Sequence, residues 1–330
     1  MLGAAVCAVA AVSRGRRAAA VDEPPTGGWA GTKPGAGSGR LRTAVNAFTF
    51  LEPLTAHQRD PSTGMDLFDV VDVAARLGID AVDMTGYFFP GYPAAPPDEY
   101  VNRLKRHTQR SGIDISGTGI RNDFATADAA VRAEGVALAK TWVEVAARLG
   151  APVLRVFAGP QKLHRTWQEA AGTDDRRPVE AWMADAIREC ADHGKRFGVQ
   201  VGVQNHADFV MTGAEHVSLL DRVAHDWCGA LVDTGSYRSA DPYAEIAAAA
   251  PRAISWQVKE TLGSQLDSPA ADMTQIVRIA HDAGYRGYLP IETLAMGRKG
   301  YDPEAVLASM LRDLRQAIAG LEESAAVRPG

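Results

Sequence analysis

The sequence predicts an α/β protein, a single (β/α)8 barrel, and three observations carry that prediction. A helical run that ends at glycine and passes at once into an apolar strand recurs five times: ARLG-IDAVDM at Gly78, QRSG-IDISGT at Gly112, ARLG-APVLRV at Gly150, KRFG-VQVGVQ at Gly198 and HDAG-YRGYLPI at Gly284. Glycine tolerates the left-handed backbone that closes a helix, so its repeated placement before a β run marks short helix-to-strand loops. The first three junctions fall 34 and 38 residues apart, the length of one βα unit. The apolar strand runs number eight, which closes a parallel barrel.

Taken in order, the strands are Thr43–Phe50, Ala81–Thr85, Asp114–Thr118, Val153–Phe157, Val199–Asn205, Gly229–Asp233, Ile254–Lys259 and Gly287–Glu292. The segments between them carry helical stripes. Leu67, Val70, Val71, Ala74 and Leu77 form one, and Trp142, Val145, Ala146 and Leu149 another. Pro178 stands where a first-turn proline belongs, and a last helix over Pro303–Leu321 completes the ring. Long connections follow strand two (Gly86–Pro97) and strand four (Ala158–Arg177), on the side where a βα barrel builds its binding site.

This assigns residues 41–321 to one barrel domain, 1–40 to a leader and 322–330 to a disordered tail. With 330 residues and 46% hydrophobic composition the chain can bury one large core. A net charge of −5, without a basic block beyond the first twenty residues, gives no reason to expect nucleic-acid or membrane partners. Cys7, Cys190 and Cys228 are far apart and odd in number, so neither a disulfide framework nor a zinc cluster is indicated. In the leader, the apolar run Leu2–Val12 is too short to cross a membrane and is followed by SRGRRAAA and a Pro/Gly-rich stretch. It reads either as an export signal whose basic front is weak or missing, cleaved near Ala18–Ala20, or as a disordered or misassigned amino terminus on a cytoplasmic protein.

Four strands end an apolar run on a polar residue: Gln204 in VGVQNH, Asp233 in ALVDTG, Gln257 in ISWQVKE and Glu292 in YLPIETL. All strands of a parallel barrel present their carboxyl ends to one face, so these four meet although 24 to 35 residues separate neighbours. Two carboxylates and two amide oxygens suit a hard divalent ion, Mn²⁺ or Mg²⁺, which would hold two neighbouring sugar oxygens and stabilise an enediolate. Without metal, the two glutamines bind hydroxyls directly.

His206, Lys259 and Glu260 are candidates for a second proton carrier or for polarising a carbonyl; alternation places Gln204 with His206, and Gln257 with Lys259, while Glu260 points outward unless the strand has ended. Arg155 reads as one half of a structural ion pair, with Asp83 a candidate for the other half. Around the mouth, Arg121, Asn122, His164, Trp167 and Tyr87 are candidate substrate contacts, and Tyr87, Phe88, Phe89 and Tyr92 either stack on sugar rings or support a loop from below. His57, His107, His193, His216, His225 and His281 read as solvated. No Gly-rich phosphate loop follows strands seven or eight, although Gly263 and Ser264 lie near the right place, so an unphosphorylated substrate is favoured.

With VQNHADF, LVDTGSY, WQVKE and PIETL in this order, the chain from Leu41 to Leu321 resembles the sugar phosphate isomerase/epimerase family, the xylose isomerase-like TIM barrels that include D-tagatose 3-epimerase and inosose dehydratase. The resemblance implies a metal held by Glu, Asp, His and Glu, a carbohydrate substrate, and a homodimer or homotetramer. This chain departs from the pattern at Gln204 and Gln257, which lowers the charge of the ligand set. The family's epimerases use two glutamates on opposite faces of the reacting carbon, and Gln204 can play neither part, which leaves Glu292 as the base. The implied activity is a sugar or cyclitol isomerase or epimerase working by metal-assisted proton abstraction next to a carbonyl. A lyase that cleaves oxidised glycosides by elimination is the alternative enzyme, and a sugar-binding barrel without chemistry the alternative outside enzymes. An apurinic-site endonuclease would need several metal-binding histidines, and only His206 stands near the centre.

Overall fold

The structure, a computed structural model, describes residues 40–160, 166–206, 209–263, 268–295 and 297–326. Among them, eight parallel strands close into a barrel in chain order: β1 (Arg42–Asn46), β2 (Ala81–Thr85), β3 (Asp114–Gly119), β4 (Val153–Phe157), β5 (Gln200–Gln204), β6 (Cys228–Asp233), β7 (Ala253–Lys259) and β8 (Tyr288–Glu292). The ring shuts where β1 pairs with β8, Arg42 opposite Tyr288 and Val45 opposite Ile291. The helices are α1 (Leu51–Arg59), α2 (Leu67–Arg76), α3 (Asp98–Ser111), α4 (Ala129–Leu149), α5 (Trp167–Ala171), α6 (Arg176–Phe197), α7 (Gly213–Val223), α8 (Pro242–Ala249), α9 (Met273–Asp282) and α10 (Pro303–Ala326). None of the described helices is long and apolar enough to cross a membrane.

The five junction glycines adopt the left-handed backbone that the sequence demands, with φ of 66° at Gly78, 69° at Gly112, 90° at Gly150, 71° at Gly198 and 83° at Gly284. The opposite helix ends are set by side-chain caps. Asp66 accepts from the backbone of Phe68 and Asp69 in a reciprocal capping box, and Asp128 and Asp272 cap α4 and α9 the same way without the reciprocal bond. α4 lays its apolar stripe on β3 and β4, with Trp142, Val145, Ala146 and Leu149 buried.

Two boundaries differ from the sequence prediction by more than one residue. The first strand stops at Asn46 instead of Phe50, because the Asn46 carboxamide accepts the Phe48 N–H at 2.8 Å and turns the chain into a 3₁₀ segment, Ala47–Phe50. That turn leads into α1, a helix the strand and helix pattern does not announce. The last helix runs to Ala326, so residues 322–326 are helical where a disordered tail is predicted. Residues 1–39 and 327–330 lie outside the described residues.

The connection after β2 is anchored from below. Trp142, fully buried on α4, meets the rings of Phe89 and Tyr92 at 5.4 Å each and donates its indole N–H to the Pro93 carbonyl at 2.9 Å. Phe88 and Phe89 are buried, which makes them supports of the loop and not open stacking faces.

Candidate active site at the carboxyl ends of the strands

Strand register brings the predicted residues together. Asp233 pairs with Gln257 across β6 and β7, Lys259 with Glu292 across β7 and β8, and Gln204 stands opposite Phe157 of β4. Partners in register on parallel strands project to the same side of the sheet, and the side chains do meet. The Gln204 carboxamide donates from one nitrogen to Asp233 Oδ2 at 2.8 Å and to Gln257 Oε1 at 2.6 Å. The Lys259 ammonium donates to Glu292 Oε1 and stands 3.4 Å from Asp233 Oδ2. Gln204, Asp233, Gln257 and Glu292 are all buried, while the Lys259 side chain keeps 13% exposure.

Backbone bonds fix the cluster. Asn205 clamps β6 by donating to the Asp233 carbonyl at 2.9 Å and accepting the Asp233 N–H at 2.8 Å, and Asp233 Oδ1 accepts the Gly235 N–H at 3.0 Å. Thr234 bridges to β7: its N–H donates to the Gln257 carbonyl at 3.0 Å and its hydroxyl accepts the Lys259 N–H at 2.9 Å. The LVDTGSY motif thus supplies a carboxylate, a bridge and, at Gly235, space for the lysine stem.

Charge in this buried place is balanced locally. Burial pulls the Lys259 pKa down, but the Asp233 and Glu292 charges outweigh it, so the ammonium is held above its ordinary range. Burial raises the Glu292 carboxyl, with Lys259 opposing and Asp233 adding to the rise. His206, two residues past the end of β5, is exposed, its ring 4.8 Å from that of Phe157. Desolvation, opposed by Asp233 and reinforced by Lys259 and Arg155, lowers its pKa to about 4, so the imidazole is neutral at pH 7.

The residues present do not fit a divalent cation. Both oxygens of Asp233, one of Glu292 and the Gln257 carbonyl oxygen already accept from N–H donors or face the ammonium. Turning the Gln204 carboxamide over would set its oxygen against Asp233 Oδ2 and Gln257 Oε1, two acceptors, so the network itself selects the nitrogen there. Its own oxygen is buried and meets no donor among the described residues. Nor do the described residues gather three or more His, Cys, Asp and Glu around a point that could hold a metal.

The surrounding candidates divide. Tyr87 is half-buried at the mouth, where its hydroxyl accepts from Arg155 and its ring lies 4.2 Å beneath the Arg121 guanidinium. Arg155 also donates to the Ile120 carbonyl; no ion pair with Asp83 is formed among the described residues, which corrects the predicted pair. Asp83 instead accepts from Asn46 at 3.3 Å, and burial, with Arg155 opposing and Glu292 adding, pushes its pKa up to about 7. Asn122 is buried and holds the Phe157 backbone at both its N–H and carbonyl, at 2.9 and 2.7 Å, so its carboxamide shapes the β3 and β4 ends. Trp167 is buried at the start of α5 against Phe209, 5.1 Å between rings, and offers no open face.

Glu260, just past the end of β7, turns to Arg298 in a two-pronged ion pair of 2.6 Å each, with the Tyr301 hydroxyl at 3.4 Å. It ties the connection after β8 and is not directed to the cluster. His164 and Ser264 lie outside the described residues. His216, which reads as solvated, is fully buried: Tyr237 donates to its Nδ1 at 2.9 Å, and its Nε2 donates to the Val203 carbonyl at 2.9 Å, next to Gln204. A signal for it exists in the sequence, since His216 shares an i, i+3, i+4, i+7 stripe with Leu219, Leu220 and Val223.

The family model of xylose isomerase-like TIM barrels matches residues 71–317. The chain belongs to that family. Solved structures with the same fold include D-allulose 3-epimerase from Methylomonas sp., at 18% identity and a TM-score of 0.64, covering 84% of this chain and 98% of that one. An L-ribulose 3-epimerase superposes at 16% identity and a TM-score of 0.66, over 88% of this chain and 100% of its own. D-psicose 3-epimerase from Clostridium cellulolyticum H10, solved with D-tagatose, gives 17% identity and a TM-score of 0.62 over 87% and 99%. Comparison with curated protein sequences gave no match. At these identities the likeness to the solved structures is one of fold, and the family's chemistry must be argued for this member from its own residues.

Proposed function

We propose that the protein is an isomerase or epimerase acting on a sugar or cyclitol, with Glu292 removing a proton from the carbon next to a carbonyl. The observation that carries this reading is the Glu292–Lys259 pair at the barrel mouth: a buried carboxylate with an ammonium beside it, in register on adjacent strands. The carboxylate takes the proton, and the ammonium supports the charge that develops on the carbonyl oxygen. The Gln204 oxygen, buried and unpartnered among the described residues, offers an acceptor to a substrate hydroxyl. The solved epimerases that share the fold act on small ketoses, as their names state, which supports the substrate class.

With Gln204 unable to ionise, Glu292 serves best in proton transfer on one face, as in aldose–ketose isomerisation. Neutral His206, electrostatically coupled to Asp233 and Lys259, is the second group suited to move a proton. The same single carboxylate favours a second reading, elimination from an oxidised glycoside, because there the proton need not return to the opposite face.

The test is incubation in D₂O with a panel of ketoses, aldoses and keto-cyclitols, followed by NMR of the products. Deuterium at the carbon next to the carbonyl in a sugar isomer is expected, and Glu292→Gln should lose it by about a hundredfold or more. Release of a second fragment would assign elimination instead. Equal exchange by wild type and Glu292→Gln would sink the role of Glu292.

A further inference from the structure

We infer that the Lys259 ammonium is the resident cation of this barrel mouth, held between Asp233 and Glu292 so that the site works without a bound divalent metal. Three independent features lead there. The ammonium already touches one oxygen of Glu292 and faces Asp233 at 3.4 Å, so both carboxylates that would anchor a metal share a positive charge supplied by the chain itself. The other two positions of the ligand set are carboxamides bonded to each other at 2.6 Å, with the nitrogen of Gln204 turned toward the carboxylate. That nitrogen satisfies Asp233 as a donor, where a metal-binding site would present an oxygen.

The third feature is that Lys259 is walled into place. Its stem lies against Gly235, where an added Cβ would come within 2.7 Å of Lys259 Cγ, and its N–H is held by the Thr234 hydroxyl at 2.9 Å. Asp233, Glu292 and Lys259 together carry one net negative charge. A dication entering the cluster would meet the ammonium at close range in a place with little water to screen the repulsion. A neutral glutamine at 204, in place of a carboxylate, removes the charge that could have offset this.

For the reaction, the consequence rests on the function proposed above. Glu292 takes the proton as the C–H electron pair becomes a C=C bond and the carbonyl π pair moves to oxygen. Lys259 donates hydrogen bonds to that oxygen, the hydroxyl on the deprotonated carbon gives its proton to the same oxygen as it becomes the new carbonyl, and the C=C pair takes the proton back from Glu292 at the former carbonyl carbon, which restores the carboxylate. The electron count closes with no added oxidant, reductant or metal.

The deciding measurement needs no substrate. Full-length protein, expressed in medium supplemented with manganese, is analysed for bound metal, then titrated with Mn²⁺ to about 1 mM, the weak end of oxygen-ligand sites, by EPR and by thermal unfolding. Wild type should carry substoichiometric metal, show no saturable Mn²⁺ binding, and unfold at the same temperature with or without chelator. The variant combining Gln204→Glu, Gln257→His and Lys259→Met should gain one Mn²⁺ site at least about tenfold tighter than any wild-type binding. Should that variant fail to fold, Gln204→Glu alone serves for the gain. One equivalent of Mn²⁺ on the wild type, or a chelator-induced fall in its Tm, would overturn the inference. A negative Mn²⁺ titration with no deuterium exchange on any substrate would leave the cation assignment standing and reject the proposed reaction.

Discussion

At Gly235 one absent methyl group decides where Lys259 lies. A Cβ there would stand 2.7 Å from Lys259 Cγ and 2.9 Å from the Thr261 carbonyl oxygen, and backbone on one side leaves the lysine stem as the part that must move. Overpacking of this kind typically costs about 1–3 kcal/mol. Gly235→Ala should therefore lower the stability seen in denaturant unfolding by that order and also weaken turnover, because the ammonium leaves its place between Asp233 and Glu292. If stability falls and the reaction rate does not, the position of Lys259 is immaterial to the chemistry. This residue-scale arrangement is only half legible in the sequence. Strand ends at Gln204, Asp233, Gln257 and Glu292 can be read from apolar runs and barrel geometry. Which of a lysine and a metal joins them cannot, because that depends on which way a carboxamide and a long side chain turn.

Among the elements, regular features are the legible ones. A glycine with positive φ at five of the helix-to-strand junctions is a local requirement, visible where the helical stripe ends, whereas after α7 it is Ala224 that takes the left-handed backbone, with φ of 47°. The end of β1 is hidden because it depends on one side-chain bond, Asn46 to Phe48, which leaves no periodic trace. Asn122 is a similar case: on sequence it lines the mouth, whereas its carboxamide fastens the segment after β3 to β4 by two bonds at Phe157. Asn122→Ala leaves a buried N–H and a buried carbonyl unpaired, at about 1–3 kcal/mol each. A loss on the order of 3 kcal/mol in urea unfolding is expected. Substrate affinity in the folded fraction should stay unchanged; a selective rise in KM without loss of stability would return Asn122 to the substrate contacts.

At the scale of the whole molecule, two buried groups on different elements oppose each other in pH. His216 is lowered to about 4 from 6.5, by burial first, with its bond to Val203 opposing and Arg252 adding. The unfolded chain thus binds more protons at that residue between about pH 4 and 6.5, and its contribution to stability rises with pH there. Asp83 is raised to about 7 from 3.8, so the native state binds more protons between those values and its contribution falls as pH rises. Each slope reaches at most about 1.4 kcal/mol per pH unit, and the two run in opposite directions over nearly the same window. Neither group is in the proposed chemistry, and differences between wild type and single variants cancel the titrations that are not coupled to these two groups. Asp83→Asn should tilt the profile of unfolding free energy upward with pH from about 4.5 to 6.5, and His216→Gln should tilt it downward. Urea unfolding at three pH values across that window reads both slopes. Variant profiles parallel to that of the wild type would show that neither group changes its proton occupancy on folding.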